Sequence, residues 1–138
     1  MDTSFLASLY GSDINTPAAA RFMPTPGNRY FVSTFTQLET INAMQLQVFR
    51  KQISAAEARN ALRNFDSDLA AGILDLVPLP DAAISRAQDL SRQTTAKMGT
   101  RSADILHVAA ALELHMDGLC SFDVQQRKLA QAMGLWLN

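Results

Sequence analysis

The sequence predicts an α/β fold, in which a mainly parallel sheet is covered by helices on both faces. Short β-rich runs alternate with helical patterns three times along the chain, which is typical of parallel sheets because each crossover carries a helix. The 138 residues are 48% hydrophobic and 18% charged, enough for one core and too apolar for a disordered chain. No repeat or linker divides the chain, so we expect a single domain over residues 1–138.

The first two predicted helices are short and precede the first β-rich run. Residues 2–4 can cap a helix that ends near Gly11. A Thr16-Pro17 pair predicts a second start, since threonine caps helices and proline fits their first turn, and residues 24–27, with two prolines and a glycine, predict its end.

The next segment alternates strand and helix. The β-rich run Tyr30–Ser33 predicts a brief strand, and apolar spacings of three and four from Thr36 to Phe49 predict a helix. Ser54, with Glu57 three positions later, predicts a capping box that opens another helix, closed near Gly72.

The second half of the chain continues this alternation. The run Ile73–Val77 predicts a strand, Asp81 predicts the cap of a helix over residues 82–93, and the polar residues 94–100 predict a loop. Apolar residues from Ile105 to Leu112 recur at i, i+3, i+4 and i+7, which predicts the central packing helix. A strand, a short helix and a terminal strand are predicted last, over residues 118–122, 123–133 and 135–137.

Charge and cysteine content exclude several classes of protein. Twelve Lys and Arg against thirteen Asp and Glu give a net charge of −1, without the broad basic surface of a non-specific nucleic-acid binder. The single cysteine, Cys120, allows neither an internal disulfide nor a cysteine metal cluster. No segment has the apolar length of a membrane span or the pattern of a signal peptide. We therefore expect a cytoplasmic protein with no membrane contact.

Acidic residues stand where predicted strands lead into helices. Asp123 directly follows a predicted strand, Asp2 has the corresponding position at the start of the chain, and Glu39 and Asp104 lie in first helical turns. Ligands of open α/β sheets bind at the carboxyl ends of strands, so the fold could gather these four side chains. An all-oxygen set suits Mg²⁺ or Mn²⁺ rather than Zn²⁺, and such ions serve phosphodiester hydrolysis.

Each acid also has a purely structural interpretation. Asp2 and Asp123 can cap helices, the latter together with Gln126. Asp104 can interact with a helix macrodipole, and Glu39 can lie on a solvated helix face. Spacing alone leaves both interpretations open.

Four segments surround these acids: DTSFL (2–6), LETINA (38–43), TRSADILHVAAAL (100–112) and SFDVQQR (121–127). In this order they resemble the acidic motifs of PIN-domain ribonucleases, in particular the VapC-type toxins of bacterial toxin–antitoxin pairs. The resemblance implies a three-layer α/β/α domain that cleaves RNA with Mg²⁺ or Mn²⁺, binds a cognate antitoxin and forms a homodimer. It implies that Asp2, Glu39, Asp104 and Asp123 are catalytic and bind the metal.

The resemblance extends to supporting residues. It implies that Thr3 and Ser4 orient Asp2 and that Ser121 holds a water or a phosphate. Arg101, beside the third acid, is a candidate contact for an RNA phosphate, because guanidinium forks suit phosphate oxygens. Family members carry a full hydrophobic strand before the first acid, whereas only Met1 precedes Asp2. Either the start of the chain is assigned too late, or the first strand is truncated and Asp2 is weakly anchored, since chain ends fray unless tied down.

Two other functional classes are alternatives to a ribonuclease. A binding module of the same fold, catalytically impaired at its first strand, could hold an antitoxin or RNA. A phosphoryl-acceptor domain would need a lysine after a late strand, and neither Lys97 nor Lys128 is so placed. Without four of the thirteen acids, twelve basic residues face nine acidic ones, a charge of +3, so the total charge does not argue against RNA.

Overall fold

The computed structural model describes residues 1–23 and 27–138, which form two compact units. The first unit comprises Met1 and Thr3–Pro78, and the second comprises Asp2 and Leu79–Asn138. Each unit combines helices with a parallel pair of strands, which confirms the predicted α/β class. Among the described residues, no helix is long and apolar enough to cross a membrane.

Helices α1 to α4 and strands β1 and β2 build the first unit. They are α1 (Thr3–Tyr10), α2 (Thr16–Phe22), β1 (Phe31–Ser33), α3 (Thr34–Phe49), α4 (Ala55–Ala70) and β2 (Asp75–Val77). The two strands run parallel, with Val32 opposite Leu76. Leu6 of α1, Val32 of β1 and Phe65 of α4 are fully buried in one core cluster. This shared core explains how short elements reach a stable arrangement, because each buries one apolar face against the others.

The second unit packs its helices around the predicted central helix. It contains α5 (Ala83–Met98), α6 (Ser102–Glu113), β3 (Gly118–Leu119), α7 (Val124–Ala132) and β4 (Trp136–Leu137). Strands β3 and β4 are parallel, and both are shorter than the predicted runs. Ile105 and Val108 of α6 are buried with Leu90 and Leu129 in one cluster, which confirms α6 as the packing helix.

Side-chain caps begin two helices as predicted. The Ser54 hydroxyl accepts from the Glu57 amide at 3.2 Å, while the Glu57 carboxylate accepts from the Ser54 amide at 2.7 Å. This reciprocal pair is a complete capping box. At α7, Oδ1 of Asp123 accepts from the amides of Gln125 and Gln126, both at 2.9 Å.

The prediction for α5 was wrong at both ends. The residue before its first turn is Ala82, without a side-chain cap, so Asp81 does not have the predicted role. The helix continues through the polar residues predicted as a loop and ends at Met98, which packs on the core cluster around Leu90. Gly99 then stops the helix with a left-handed φ of 66°, a conformation that glycine adopts without strain.

The beginning of α2 was predicted one residue late. Its N-cap position is Asn15, and Thr16 is the first helical residue. The Thr16 hydroxyl donates to the carbonyl oxygen of Ser8 at 2.8 Å, so it ties α2 to α1 rather than capping its own helix. Residues 24–26 of the predicted stop at 24–27 lie outside the described residues, and Gly27 has a positive φ of 82°.

The chain enters α1 without a preceding strand in the part that the structure describes. The amino group of Met1 donates to the carbonyl oxygen of Phe31 at 2.8 Å, and the Met1 side chain packs beside the core cluster of the first unit. These contacts hold Met1 against β1.

Candidate functional site

Asp2 is firmly held beside the end of β3. It is 3% exposed, its amide donates to the carbonyl oxygen of Cys120 at 3.0 Å, and its Oδ2 accepts from the Ser121 hydroxyl at 3.1 Å. The expected weak anchoring was therefore wrong. The physical reason is tertiary, because the main-chain acceptor and the hydroxyl donor come from Cys120 and Ser121, and the Ser121–Asp2 bond spans 119 residues.

Asp123 divides its two carboxylate oxygens between two tasks. Oδ1 caps α7, and Oδ2 accepts from Nη2 of Arg101 at 3.0 Å. The side chain is 28% exposed. The structural interpretation of Asp123 as a helix cap is correct, and it leaves the second oxygen available for another partner.

Asp104 is a buried carboxylate whose two oxygens both bind Arg101. Oδ2 accepts from the main-chain amide of Arg101 at 3.2 Å and from its Nε at 3.0 Å, and Oδ1 accepts from Nη2 at 3.2 Å. Only 9% of the Asp104 side chain is exposed. A carboxylate this buried needs a compensating positive charge, because water solvates so little of it.

Arg101 and Ser121 join three of the predicted acids into one network within the second unit. Nη2 of Arg101 contacts both Asp104 and Asp123. The Ser121 hydroxyl accepts from the Asp123 amide at 3.0 Å and donates to Asp2. Ser121 is fully buried, so its hydroxyl is a fixed part of this network.

Glu39 lies in α3 of the first unit. Its Oε2 accepts from the Thr3 hydroxyl of α1 at 2.9 Å. Thr3 was expected to orient Asp2, but a hydroxyl has a single hydrogen, and here that hydrogen goes to Glu39. Ser4, the other expected supporting hydroxyl, is half-buried in α1.

Sequence reasoning missed two residues that support Ser121. Nη1 of Arg127 donates to the carbonyl oxygen of Ser121 at 2.7 Å and to Oδ1 of Asn138 at 3.0 Å. The Asn138 side chain also accepts from the Ser121 amide at 2.8 Å. Arg127 lies inside the SFDVQQR segment, but nothing in the segment indicates that its guanidinium reaches back six residues to the carbonyl oxygen of Ser121.

The donors of this network are chemically suited to a hard divalent cation. Asp2, Asp104, Asp123 and Ser121 offer only carboxylate and hydroxyl oxygens, the ligands that Mg²⁺ and Mn²⁺ prefer. Burial raises the pKa of the nearby Cys120 thiol to about 11, which keeps it protonated and unsuited to metal binding. Among the described residues, no group of three or more His, Cys, Asp or Glu side chains is arranged to hold a metal ion. In the structure the guanidinium of Arg101 supplies the positive charge that pairs with Asp104 and Asp123.

Comparisons with known proteins identify related sequences and structures. The family model of the PIN domain matches residues 1–132. Among solved structures, this chain is similar to the crystal structure of Mycobacterium tuberculosis VapC20, described as a sarcin-ricin loop cleaving toxin. The TM-score is 0.72 at 16% sequence identity, over 98% of this chain and 94% of that chain. At this identity the likeness shows a shared fold. The comparison with curated proteins found no match.

Proposed function

The chain belongs to the PIN-domain family, and from that premise we propose that it is a metal-dependent endoribonuclease, the toxin of a toxin–antitoxin pair. One observation carries the proposal: Asp2, Asp104 and Asp123, far apart in sequence, are joined through Arg101 and Ser121 within one unit. A structural role for each acid alone does not require this convergence.

The proposed metal ligands are carboxylate oxygens of the three acids in this network. Asp104 and Oδ2 of Asp123 would hold Mg²⁺ or Mn²⁺ together with Asp2, and the bound ion would offset phosphate charge and activate a water for hydrolysis. Hydrogen bonds already hold two of these side chains in position. Ser121 fixes the Asp2 carboxylate, and the α7 cap fixes the Asp123 side chain through its other oxygen.

Glu39 is proposed as the fourth catalytic acid on the strength of the motif resemblance. Its carboxylate has a fixed orientation, because the Thr3 hydroxyl donates to Oε2. A purely solvated surface glutamate would not require such a partner. Its contribution is tested separately below, by substitution to glutamine.

The proposed substrate is RNA, and the proposed protein partner is a cognate antitoxin. VapC20 is described as cleaving the sarcin-ricin loop, so a structured RNA loop is the substrate class that we propose to test first. Homodimer formation is also proposed from the family resemblance. The alternative, a binding module catalytically impaired at its first strand, is less well supported, because Asp2 is buried and held by Cys120 and Ser121.

Calorimetric titration of Mn²⁺ tests the metal site without a choice of RNA. We expect wild type to bind Mn²⁺ and Asp104→Asn to bind at least about 100-fold more weakly, since even residues that only support ligands contribute about 10- to 100-fold. Asp89→Asn is the matched control, because Asp89 forms an i,i+3 ion pair with Arg92 on an exposed part of α5. Equal binding by wild type and Asp104→Asn would exclude this metal site.

Cleavage of loop-containing RNA oligonucleotides tests the activity itself. We expect wild type to cleave with Mg²⁺ or Mn²⁺ and to lose activity when the metal is chelated. Asp104→Asn and Glu39→Gln should each cleave at least about 100-fold more slowly, whereas Asp89→Asn should match wild type. Undiminished cleavage by Asp104→Asn, or by wild type under chelation, would overturn the proposed function.

A further inference from the structure

We propose that Arg101 is a built-in counter-ion, which a divalent cation must displace from Asp104 and Asp123 before the site can bind metal. The inference concerns regulation of the proposed metal site and rests on the proposed function. Arg101 would then set the metal affinity of the enzyme and keep the metal-free site closed. This role differs from the candidate RNA phosphate contact named from the sequence.

The guanidinium contacts the oxygens that a cation would need. Nε and Nη2 bind the two oxygens of Asp104 at 3.0 and 3.2 Å, and Nη2 also binds Oδ2 of Asp123 at 3.0 Å. The remaining Asp123 oxygen is already engaged by the start of α7. Two of the three acids in the network therefore present their available oxygens to Arg101.

Electrostatics explains why a positive charge belongs at this position. Asp104 is almost fully buried and Asp123 is 28% exposed, so two carboxylates share a poorly solvated region. Without a cation between them they would repel, and the charged forms would be destabilised. A planar guanidinium can bond to two carboxylates at once, which a lysine ammonium on a flexible stem does less well.

The same geometry allows Arg101 to leave. Its side chain is 73% exposed, so moving it away uncovers no core. The main-chain amide of Arg101 donates separately to Oδ2 of Asp104 at 3.2 Å. Because this bond does not involve the side chain, the start of α6 keeps it after displacement or truncation of the guanidinium. The variant Arg101→Ala is therefore expected to fold.

Titration of Mn²⁺ into the metal-free protein tests the displacement. We expect Arg101→Ala to bind Mn²⁺ about threefold to tenfold more tightly than wild type, which is about 0.6–1.4 kcal/mol and matches a partly exposed ion pair. Arg101→Lys should bind more tightly than wild type but less tightly than Arg101→Ala. Arg92→Ala is the matched control, because Arg92 is 72% exposed, forms the i,i+3 pair with Asp89, and its loss changes the net charge equally. Its Mn²⁺ affinity should stay within about twofold of wild type.

Thermal unfolding provides a second measurement that does not depend on activity. Without metal, Arg101→Ala should melt below wild type, because two carboxylates lose their counter-ion. Saturating Mn²⁺ should then raise the melting temperature of Arg101→Ala more than that of wild type, as the tighter binding requires.

The outcomes separate this inference from the proposed function. If wild type binds Mn²⁺, Asp104→Asn does not, and Arg101→Ala binds no more tightly than wild type, the counter-ion role is wrong while the metal site stands. If Arg101→Lys keeps the wild-type Mn²⁺ affinity while Arg101→Ala binds more tightly, the loss of a positive charge explains the result. Displacement of the guanidinium is then not responsible, and the proposal is overturned. If neither wild type nor Arg101→Ala binds Mn²⁺, the proposed function fails as well.

Discussion

Replacement of Ser121 by alanine tests whether one hydroxyl holds the first acid in place. Ser121 is fully buried, donates to Oδ2 of Asp2 at 3.1 Å and accepts from the Asp123 amide at 3.0 Å. Alanine removes both bonds and leaves little room for water to replace them. The Asp2 carboxylate, itself 3% exposed, would lose a donor that it cannot regain from solvent.

The expected loss of stability follows from these two bonds. A hydrogen bond to a charged group contributes about 1.5–3 kcal/mol, and one to a neutral main-chain group about 0.5–1.5 kcal/mol. The cap of α7 by Oδ1 of Asp123 does not depend on Ser121, so that helix start is retained. We therefore expect Ser121→Ala to lower the free energy of unfolding by about 2–4 kcal/mol, a large part of a typical total of about 5–15 kcal/mol.

Urea unfolding of wild type and variants at neutral pH measures this loss, and Ser8→Ala is the matched control. Ser8 is also buried and its hydroxyl donates to an aspartate, Asp13, at 2.7 Å, but Asp13 is exposed. Water can solvate the Asp13 carboxylate after the change, so we expect a cost below about 1 kcal/mol. If Ser121→Ala cost no more than Ser8→Ala, the reasoning that Ser121 anchors Asp2 would be refuted.

Two further predictions concern the first unit. Ser54→Ala removes one half of the capping box at α4 and should lower the free energy of unfolding by about 1 kcal/mol in urea unfolding; an unchanged midpoint would contradict the cap. Tyr10→Phe removes a hydroxyl that donates to Asp68 at 2.6 Å, and because water reaches the half-buried Asp68 the change should cost only about 0.5–1.5 kcal/mol at pH 7. Burial raises the pKa of Tyr10 well above its usual value, and the hydrogen bond to Asp68 and the charge of Asp68 raise it further. The folded state therefore favours the protonated phenol. The stabilisation is present below the unfolded-state pKa of about 10 and declines above it. The difference in free energy of unfolding between wild type and Tyr10→Phe should therefore narrow between about pH 10 and 11. A constant difference would contradict this explanation.

The starts of α4 and α7 were predictable, because their capping bonds span three residues or fewer. Ser54 with Glu57, and Asp123 with the amides of α7, form the bonds that their spacing predicts. The end of α5 was not predictable in this way. Its polar last turns resemble a loop, and the helix continues to Met98, which packs against residues that are distant in sequence.

In the candidate site, too, some features were predictable from the sequence and others were not. The motif resemblance pointed to the acids by residue type and position, and Asp123 was recognised as a helix cap for the correct local reason. The partners of these acids were not recognised. Arg101 was only a candidate RNA contact, and it binds Asp104 and Asp123. Thr3 was expected to orient Asp2 and instead donates to Glu39.

The sequence by itself determined the α/β class, the order of the elements and the acids that carry the family motif. Periodicity and capping are local properties, in which each bond is closed within a few residues and little chain entropy opposes it. Only the tertiary structure decided which groups hold those acids. The Ser121–Asp2 bond spans 119 residues and the Arg101–Asp123 bond spans 22, so both form only where packing of the second unit has already brought the chain segments together. Arg101 thus changes from a candidate RNA contact in the sequence to the ion-pair partner of a buried acid, Asp104, and a partly exposed one, Asp123, in the fold.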